Sequence, residues 1–511
     1  MNPFVIARLH PDRPATINAS TGEVMSYAAL DEMSRRLAAG FRALGLQPGD
    51  HIALMVSNGL MFHPICWGAW LAGLYFTPIS TRLRRDEVEH LITDSGSKLV
   101  IASPGFEDLM GDLKAALPGV GYWFLTAPGA GGLSSIDSLI ADLRPLNLGP
   151  DELAGADMLY SSGTTGKPKG ILPRLEQKRN DPNPLAMLLK RLYGFDQDTR
   201  YLTPAPLYHG SPLKFSMAIH RFGGVNIIME RFDAEEALAA IAGHGVTHSQ
   251  WVPTMLHRMV RLPDEVKARH DLSSHRVAIH AAAPCPVELK RQIIDWWGPI
   301  VHEFYAGSEA VGFTAIDTPE WLERPGSVGR AVLGEIHIVG EAGAESPPGE
   351  VGQIYFGNAP KIAYHNDPAK TARAYHPSGW ITLGDMGRID DKGYLYLSDR
   401  KDFMIITGGV NVYPKEIEDV LVMHPSVEDA AVFGLPNTEF GEEVKAVVQP
   451  STWPDDEVAF IEALTLYCRE HLSSIKLPRS FDLARALPRQ ENGKLYKKAL
   501  RETYLTAAGA Q

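Results

Sequence analysis

The chain has 511 residues, 45% of them hydrophobic and 22% charged, a balance that suits a folded globular protein and excludes a disordered one. Its formal net charge of −12, with no basic tail or block, argues against a nucleic-acid role and leaves any anionic ligand to be held by local loops. No apolar run reaches the roughly 18 residues needed to span a bilayer, and the start, Met1-Asn2-Pro3-Phe4, lacks a signal-like charged and apolar pair of regions. Cys66, Cys285 and Cys468 have neither pairing nor metal spacing, so they read as small buried apolar residues in a reducing, cytoplasmic setting.

Taken in order, residues 1 to about 150 alternate helical and strand patterns. Ser26 to Leu44 carries Leu30, Met33, Leu37 and Phe41 at helical spacing, and Gly49-Asp50 turns the chain into the apolar strand His51 to Val56. A buried helix over Leu60 to Gly73 leads to a strand near Tyr75 to Ile79, and a polar helix, Arg85 to Thr93, leads to the strand Leu99 to Ala102. Strands alternating with helices predict right-handed crossovers and a largely parallel sheet covered on both faces. Gly129-Ala130-Gly131-Gly132 lacks the context of a dinucleotide fingerprint and reads as a loop.

After Asp157-Met158-Leu159, which reads as a strand end, comes Tyr160-Ser161-Ser162-Gly163-Thr164-Thr165-Gly166-Lys167-Pro168-Lys169-Gly170. Glycines let backbone N–H groups approach an anion, while hydroxyls and lysines add donors and charge, so the composition suits a polyphosphate. The Walker spacing cannot be laid on it. Further on, Pro206-Leu207-Tyr208-His209 forms a turn, and the strand Val246 to Val252 ends in Trp251-Val252 before a helix opening at Pro253. The strand Val277 to His280 ends in Ala281-Ala282-Ala283-Pro284 before a helix near Pro286, and Ile300 to Phe304 ends in Tyr305-Ala306-Gly307-Ser308-Glu309. Small and polar residues at the carboxyl ends of strands are where open α/β sheets bind ligands. From Pro325 the texture changes to short strands with Gly/Pro turns, which predicts a small antiparallel sheet or barrel reaching Leu383-Gly384-Asp385.

These stretches, with Asp399-Arg400-Lys401-Asp402, Thr407-Gly408-Gly409 and Asn492-Gly493-Lys494, resemble in order the motifs of the AMP-forming adenylating enzymes, in particular their acyl- and aryl-CoA ligases. The resemblance implies an α/β fold. Its large N-terminal domain, 1–400, would hold parallel and mixed sheets plus a barrel-like subdomain, and a small mobile α+β domain, 401–511, would act as a lid. It implies that ATP and AMP are held by Ser161, Ser162, Gly163, Thr164, Thr165, Gly166, Lys167, Lys169, Ala282, Ala283, Tyr305, Ser308, Asp385, Arg400 and Lys494. Lys494, Glu309 and Ser308 would serve the chemistry, and Glu309 with Thr164 would hold Mg²⁺. His209, Trp251, Ala281 and Gly307 would border the acyl pocket, although Trp251 reads equally as plain core. Asp402 matches the hinge, and Gly408 and Gly409 the coenzyme A tunnel. Departures stand at Ala306, Ser308, Leu383, Asp399 and Asn492.

The implied reaction is a two-step ligation. A carboxylate attacks ATP to give acyl-AMP and pyrophosphate, and the thiol of coenzyme A then displaces AMP. The expected acid is hydrophobic, a medium- or long-chain fatty acid, with aryl or steroid-side-chain acids, a carrier-protein acceptor and a non-catalytic nucleotide sensor as alternatives. Partners are then small molecules, and a homodimer is an open assembly, since oligomeric state has no signature here.

Overall fold

The computed structural model describes residues 2–129, 132–147, 149, 152–161, 168–400, 403–407, 410–437, 440–489 and 495–509, by backbone alone at 161, 400 and 507–509. Residue contacts divide the chain into two compact units. One comprises Met1–Trp251, Arg261–Ile279 and Lys361–Ala372; the other comprises Val252–Val260, His280–Pro360 and Arg373–Gln511. Among the described residues no helix is long and apolar enough to cross a membrane.

The first unit contains the expected parallel sheet, in the order Ser134–Ser135, Tyr122–Leu125, Leu99–Ala102, His51–Met55, Tyr75–Pro78 and Ala156–Asp157. Successive side chains of a strand point to opposite faces, so each strand serves two cores. Ile52, Leu54, Leu99 and Ile101 join helices Tyr27–Ala43 and Phe62–Ala72 on one face. Ala53, Met55, Val100 and Ala102 join helices Arg85–Ser95 and Glu107–Ala116 on the other. The helix starts and stops follow local chemistry: the Ser26 hydroxyl accepts from the Ala29 N–H at 3.2 Å, and Gly73 ends Phe62–Ala72 in the left-handed region at φ 75°.

A second sheet of this unit runs His248–Trp251, Arg200–Thr203, Val225–Ile228, Pro14–Asn18 and Val24–Ser26. Its first four strands are parallel, and the last closes an antiparallel hairpin. Beneath it lies a neutral polar network. The Trp67 indole N–H donates to His220 Nδ1 at 3.2 Å, and His220 Nε2 faces the Ala15 carbonyl at 3.1 Å and Thr16 Oγ1 at 3.2 Å. Burial pushes the His220 imidazole down to about 4, so it is neutral at pH 7.

In the second unit an antiparallel ladder joins Val301–Ala306, Phe313–Ile316 and Arg330–Leu333. The change of texture after Pro325 corresponds to a four-stranded antiparallel sheet, Glu335–Val339, Gly352–Gly357, Ile381–Ile389 and Leu395–Arg400. The C-terminal segment pairs Val427–Asn437 with Gly441–Pro450 over helices Pro414–Val422 and Glu457–His471, around Ile417, Leu421, Val432, Val444 and Leu464. Of the three cysteines, Cys66 and Cys468 are buried as expected, whereas Cys285 is only half-buried because it sits in the loop before helix Val287–Trp297.

Candidate active site

In the first unit, Leu159–Ser161 and Lys169–Ile171 form a two-stranded antiparallel ladder, with Ser161 opposite Lys169. The ladder is fixed tightly. Tyr160 donates its hydroxyl to Asp94 Oδ2 at 2.8 Å, Lys169 Nζ lies 3.6 Å from Asp367 Oδ2, and His90 Nε2 is 3.2 Å from the Pro168 carbonyl. A Cβ on Gly170 would meet Met158 Cε, the movable end of that side chain, at 2.3 Å, so the strand packs closely there. His209 is the residue before helix Gly210–Phe222, on a turn pinned by the Leu207 N–H donating to Asn58 Oδ1 at 2.8 Å. Trp251 is 1% exposed, donates its indole N–H to Ser249 Oγ at 2.6 Å and meets the edge of Phe232.

In the second unit, several predicted residues converge. Tyr305 and the 307–309 loop leave the end of Val301–Ala306, while Asp385 lies on Ile381–Ile389. The Tyr305 hydroxyl donates to Asp385 Oδ2 at 2.6 Å, and Asp385 stands opposite Arg400 in the strand register. A Cβ on Gly307 would meet Glu309 Oε2 at 2.7 Å and both methyl carbons of Leu383 at 2.8 Å. This places Glu309, Gly307 and Leu383 against one another. Asp385 is thus held by the half-buried Tyr305, while Gly307 and Glu309 lie by Leu383, two residues before Asp385 on the same strand. Leu383 stands where the resembled motif has a hydroxyl, and the neighbouring Thr382 Oγ1 accepts from the Gly384 N–H at 3.0 Å and from Gln353 Nε2 at 3.1 Å.

Backbone strain marks the same places. Ala282, at the carboxyl end of Val277–His280, has φ 75°, and Ala310, directly after Glu309, has φ 54°. Non-glycine residues in this region are costly and gather at functional sites. Asp399 Oδ2 accepts from the backbone N–H of Lys415 at 3.1 Å, in the first turn of Pro414–Val422.

Ser162, Gly163, Thr164, Thr165, Gly166, Lys167, Asp402, Gly408, Gly409 and Lys494 lie outside the described residues, and Ser161 and Arg400 are placed by their backbones. Among the described residues no group of three or more His, Cys, Asp or Glu side chains converges as a metal cage. Reasoning from the sequence passed over Asp94 and Asp367, which hold Tyr160 and Lys169. It also missed Lys290 and Glu303, a buried ion pair at 2.6 Å behind the alanine segment. An acid inside the apolar strand Val301 to Phe304 was the available signal.

Comparison with known proteins agrees with this geometry. The model of the AMP-binding enzyme family matches residues 5–362, and that of the AMP-binding enzyme C-terminal domain matches 416–494. The chain is 32% identical over 504 residues to the long-chain-fatty-acid CoA ligase FadD13 of Mycobacterium tuberculosis, covering 98% of this chain and 97% of that one. It is also 32% identical over 502 residues to a feruloyl-CoA synthase of an Amycolatopsis species, with 98% and 97% covered. Among solved structures, ATP-bound MatB from Rhodopseudomonas palustris superposes with a TM-score of 0.81 at 28% identity, covering 99% of each chain. The o-succinylbenzoate CoA synthetase of Bacillus subtilis, bound to its acyl-adenylate, gives 0.81 at 27% identity, with 98% and 97% covered. The chain belongs to the AMP-binding enzyme family, in the adenylating superfamily of AMP-forming acyl- and aryl-CoA ligases.

Proposed function

We propose that the chain activates a hydrophobic carboxylic acid of the medium- or long-chain fatty type, converting it through acyl-AMP to the coenzyme A thioester with release of AMP and pyrophosphate. The observation that carries this reading is the joining of Tyr305 to Asp385, with Arg400 opposite in register. An aromatic ring can stack on adenine, a carboxylate can accept from both ribose hydroxyls, and a guanidinium can meet the α-phosphate, so Tyr305, Asp385 and Arg400, from three strands, are the kinds of residue a nucleoside monophosphate needs. The 32% identity to a fatty-acid ligase supports the acid class, and the equal identity to a feruloyl-CoA synthase supports an aryl acid as the second reading.

Attack of a carboxylate on ATP brings two anions together, so the site has to neutralise charge on both. Lys494 and the 161–169 stretch supply cationic and N–H donors for this. Mg²⁺ commonly takes one or two protein carboxylates and fills its remaining positions with phosphate oxygens and water, and Glu309, half-buried beside Gly307, fits that use. When bound, the ion would offset phosphate charge. Asp402 is assigned to the hinge and Gly408-Gly409 to the thiol's approach, with 401–511 as the moving domain. Free thiols at Cys66, Cys285 and Cys468 suit a reducing compartment, and we assign the enzyme to the cytoplasm.

The test is pyrophosphate release from Mg-ATP against a panel of fatty, aryl, steroid-side-chain and short polar acids, with and without coenzyme A, with the thioester identified by mass. Release driven by a fatty acid and accelerated by coenzyme A supports the reading; an aryl acid winning replaces it with the second. ATP binding without pyrophosphate release from any acid makes the chain a nucleotide sensor. Lys494→Ala should slow adenylation by two to three orders of magnitude, matching the roughly 3–4 kcal/mol of one lost transition-state charge contact. The thioester-forming half-reaction should suffer less, and equal loss in both would overturn the assignment.

A further inference from the structure

The segment 281–286 connects strand Val277–His280 to helix Val287–Trp297, and the residues at its two ends turn inward onto one carboxylate. Lys290, in the helix's first turns, donates from Nζ to Glu303 Oε2 at 2.6 Å, and His280 Nε2 lies 3.5 Å from the same oxygen. Lys290 and His280 are 0% exposed and Glu303 5%. The ammonium also sits 4.7 Å from the ring centroid of Trp321, and the Lys290 backbone N–H donates to the Pro286 carbonyl at 3.0 Å. The connection is therefore closed into a ring by side chains of three different elements.

Burying two charges costs desolvation that a well-packed apolar pair would avoid, so such a pair is weak evidence of a stability device. Its place in the chain suggests another purpose. Glu303 is two residues before Tyr305, His280 is the residue before Ala281, and the ring encloses Ala282, held at φ 75°. A left-handed alanine persists only where its surroundings over-determine it.

We propose that Lys290 and Glu303 are positioning residues: their buried ion pair, flanked by His280, clamps the 281–283 wall in its left-handed form and fixes it relative to Tyr305, setting the nucleotide side of the site. The proposal rests on the AMP-forming reading above. The charge of the cluster is consistent with it. Burial, together with the Lys290 ammonium, keeps the His280 imidazole well below its ordinary range and neutral. Burial and the Glu303 carboxylate push the Cys285 thiol up to about 12, so this cysteine of the ring lies within the same field and is no nucleophile.

The experiment uses the full chain and the variants Lys290→Met, Glu303→Gln, Lys290→Met with Ala282→Gly, and Leu113→Ala as a destabilised control from the other unit's core. Each is measured for melting temperature, for KM of ATP and of the acid, and for ATP Kd by equilibrium titration. Lys290→Met should raise the KM and Kd for ATP on the order of 10-fold or more, since misplacement by about an ångström has effects of this size and larger. Glu303→Gln, isosteric and uncharged, should do so by less, and it stands in if Lys290→Met does not fold. Adding Ala282→Gly to Lys290→Met should recover most of the ATP affinity, because glycine keeps the left-handed form without a clamp. Leu113→Ala should lower the melting temperature and leave both constants for ATP in place. Variants that lose melting temperature but keep ATP affinity, or a glycine that restores nothing, overturn the clamp. The Kd series decides this even if no acid releases pyrophosphate, so failure of the ligase reading is seen separately.

Discussion

Two buried polar clusters solve opposite problems. Under the second sheet of the first unit, burial holds His220 neutral among Trp67, Thr16 and Ala15, so the network carries no charge into the core. Behind the alanine segment of the other unit, Lys290 and Glu303 stay together as charges at 2.6 Å, with no water-exposed side. The neutral network joins strand and helices at modest cost. Glu303 of the charged pair stands two residues before Tyr305, and the His280 that flanks it one residue before Ala281, where an exact distance matters more than net stability. The comparison separates polar groups that hold a core from polar groups that hold a site.

The largest effect should come from breaking the charged pair by halves. Lys290→Met leaves Glu303 buried without its partner and should cost about 3–5 kcal/mol in urea unfolding, whereas replacing both by apolar residues should cost far less. A similar loss in single and double variants would end the contrast.

The neutral network should show itself by acid. His220 stays neutral down to about 4 in the fold, while an unfolded histidine takes up its proton near 6.5. The stability it lends is therefore complete above about pH 6.5 and is lost as the pH falls towards 4. Over that window the loss from this residue should be on the order of 3 kcal/mol. A melting temperature unchanged between pH 7 and pH 5 would contradict the assignment.

Smaller still, Thr16→Val removes one hydroxyl from the His220 cluster but leaves the Ala15 carbonyl as partner, so chemical unfolding should report a loss of only about 1 kcal/mol. The smallest change runs the other way. Ala282→Gly relieves a left-handed alanine and should stabilise the fold by up to about 1 kcal/mol, less the entropy glycine adds to the unfolded chain. A destabilised variant would mean that the strain is not borne at Ala282.

How far the sequence could be read follows from the range of the interactions involved. The parallel sheet was legible because its strands, buried on both faces, are continuous apolar runs such as Leu99 to Ala102, which matches the observed strand. The strands Val277–His280 and Val301–Ala306 were legible too, as apolar runs that stop at small and polar residues, which is what made their ends candidates for a site. Lys290 was invisible because its meaning depends on Glu303, 13 residues away on another element. The division into units was likewise hidden, since Lys361–Ala372 is grouped with the first unit and Val252–Val260 with the second by packing that no local pattern encodes.

The two cores of the parallel sheet have a consequence for how its register is specified. In a sheet with one wet face, slipping a strand by one residue exposes its apolar set, and polarity forbids the error. Here both faces are apolar, so polarity is silent. What differs is volume: Ile52, Leu54, Leu99 and Ile101 face helices Tyr27–Ala43 and Phe62–Ala72, while on the side of Arg85–Ser95 and Glu107–Ala116 two of the four positions, Ala53 and Ala102 beside Met55 and Val100, are alanine. A slipped strand would press isoleucine and leucine into the space of a methyl group on one side and open voids on the other. In this half of the molecule, side-chain size is the code that tells up from down.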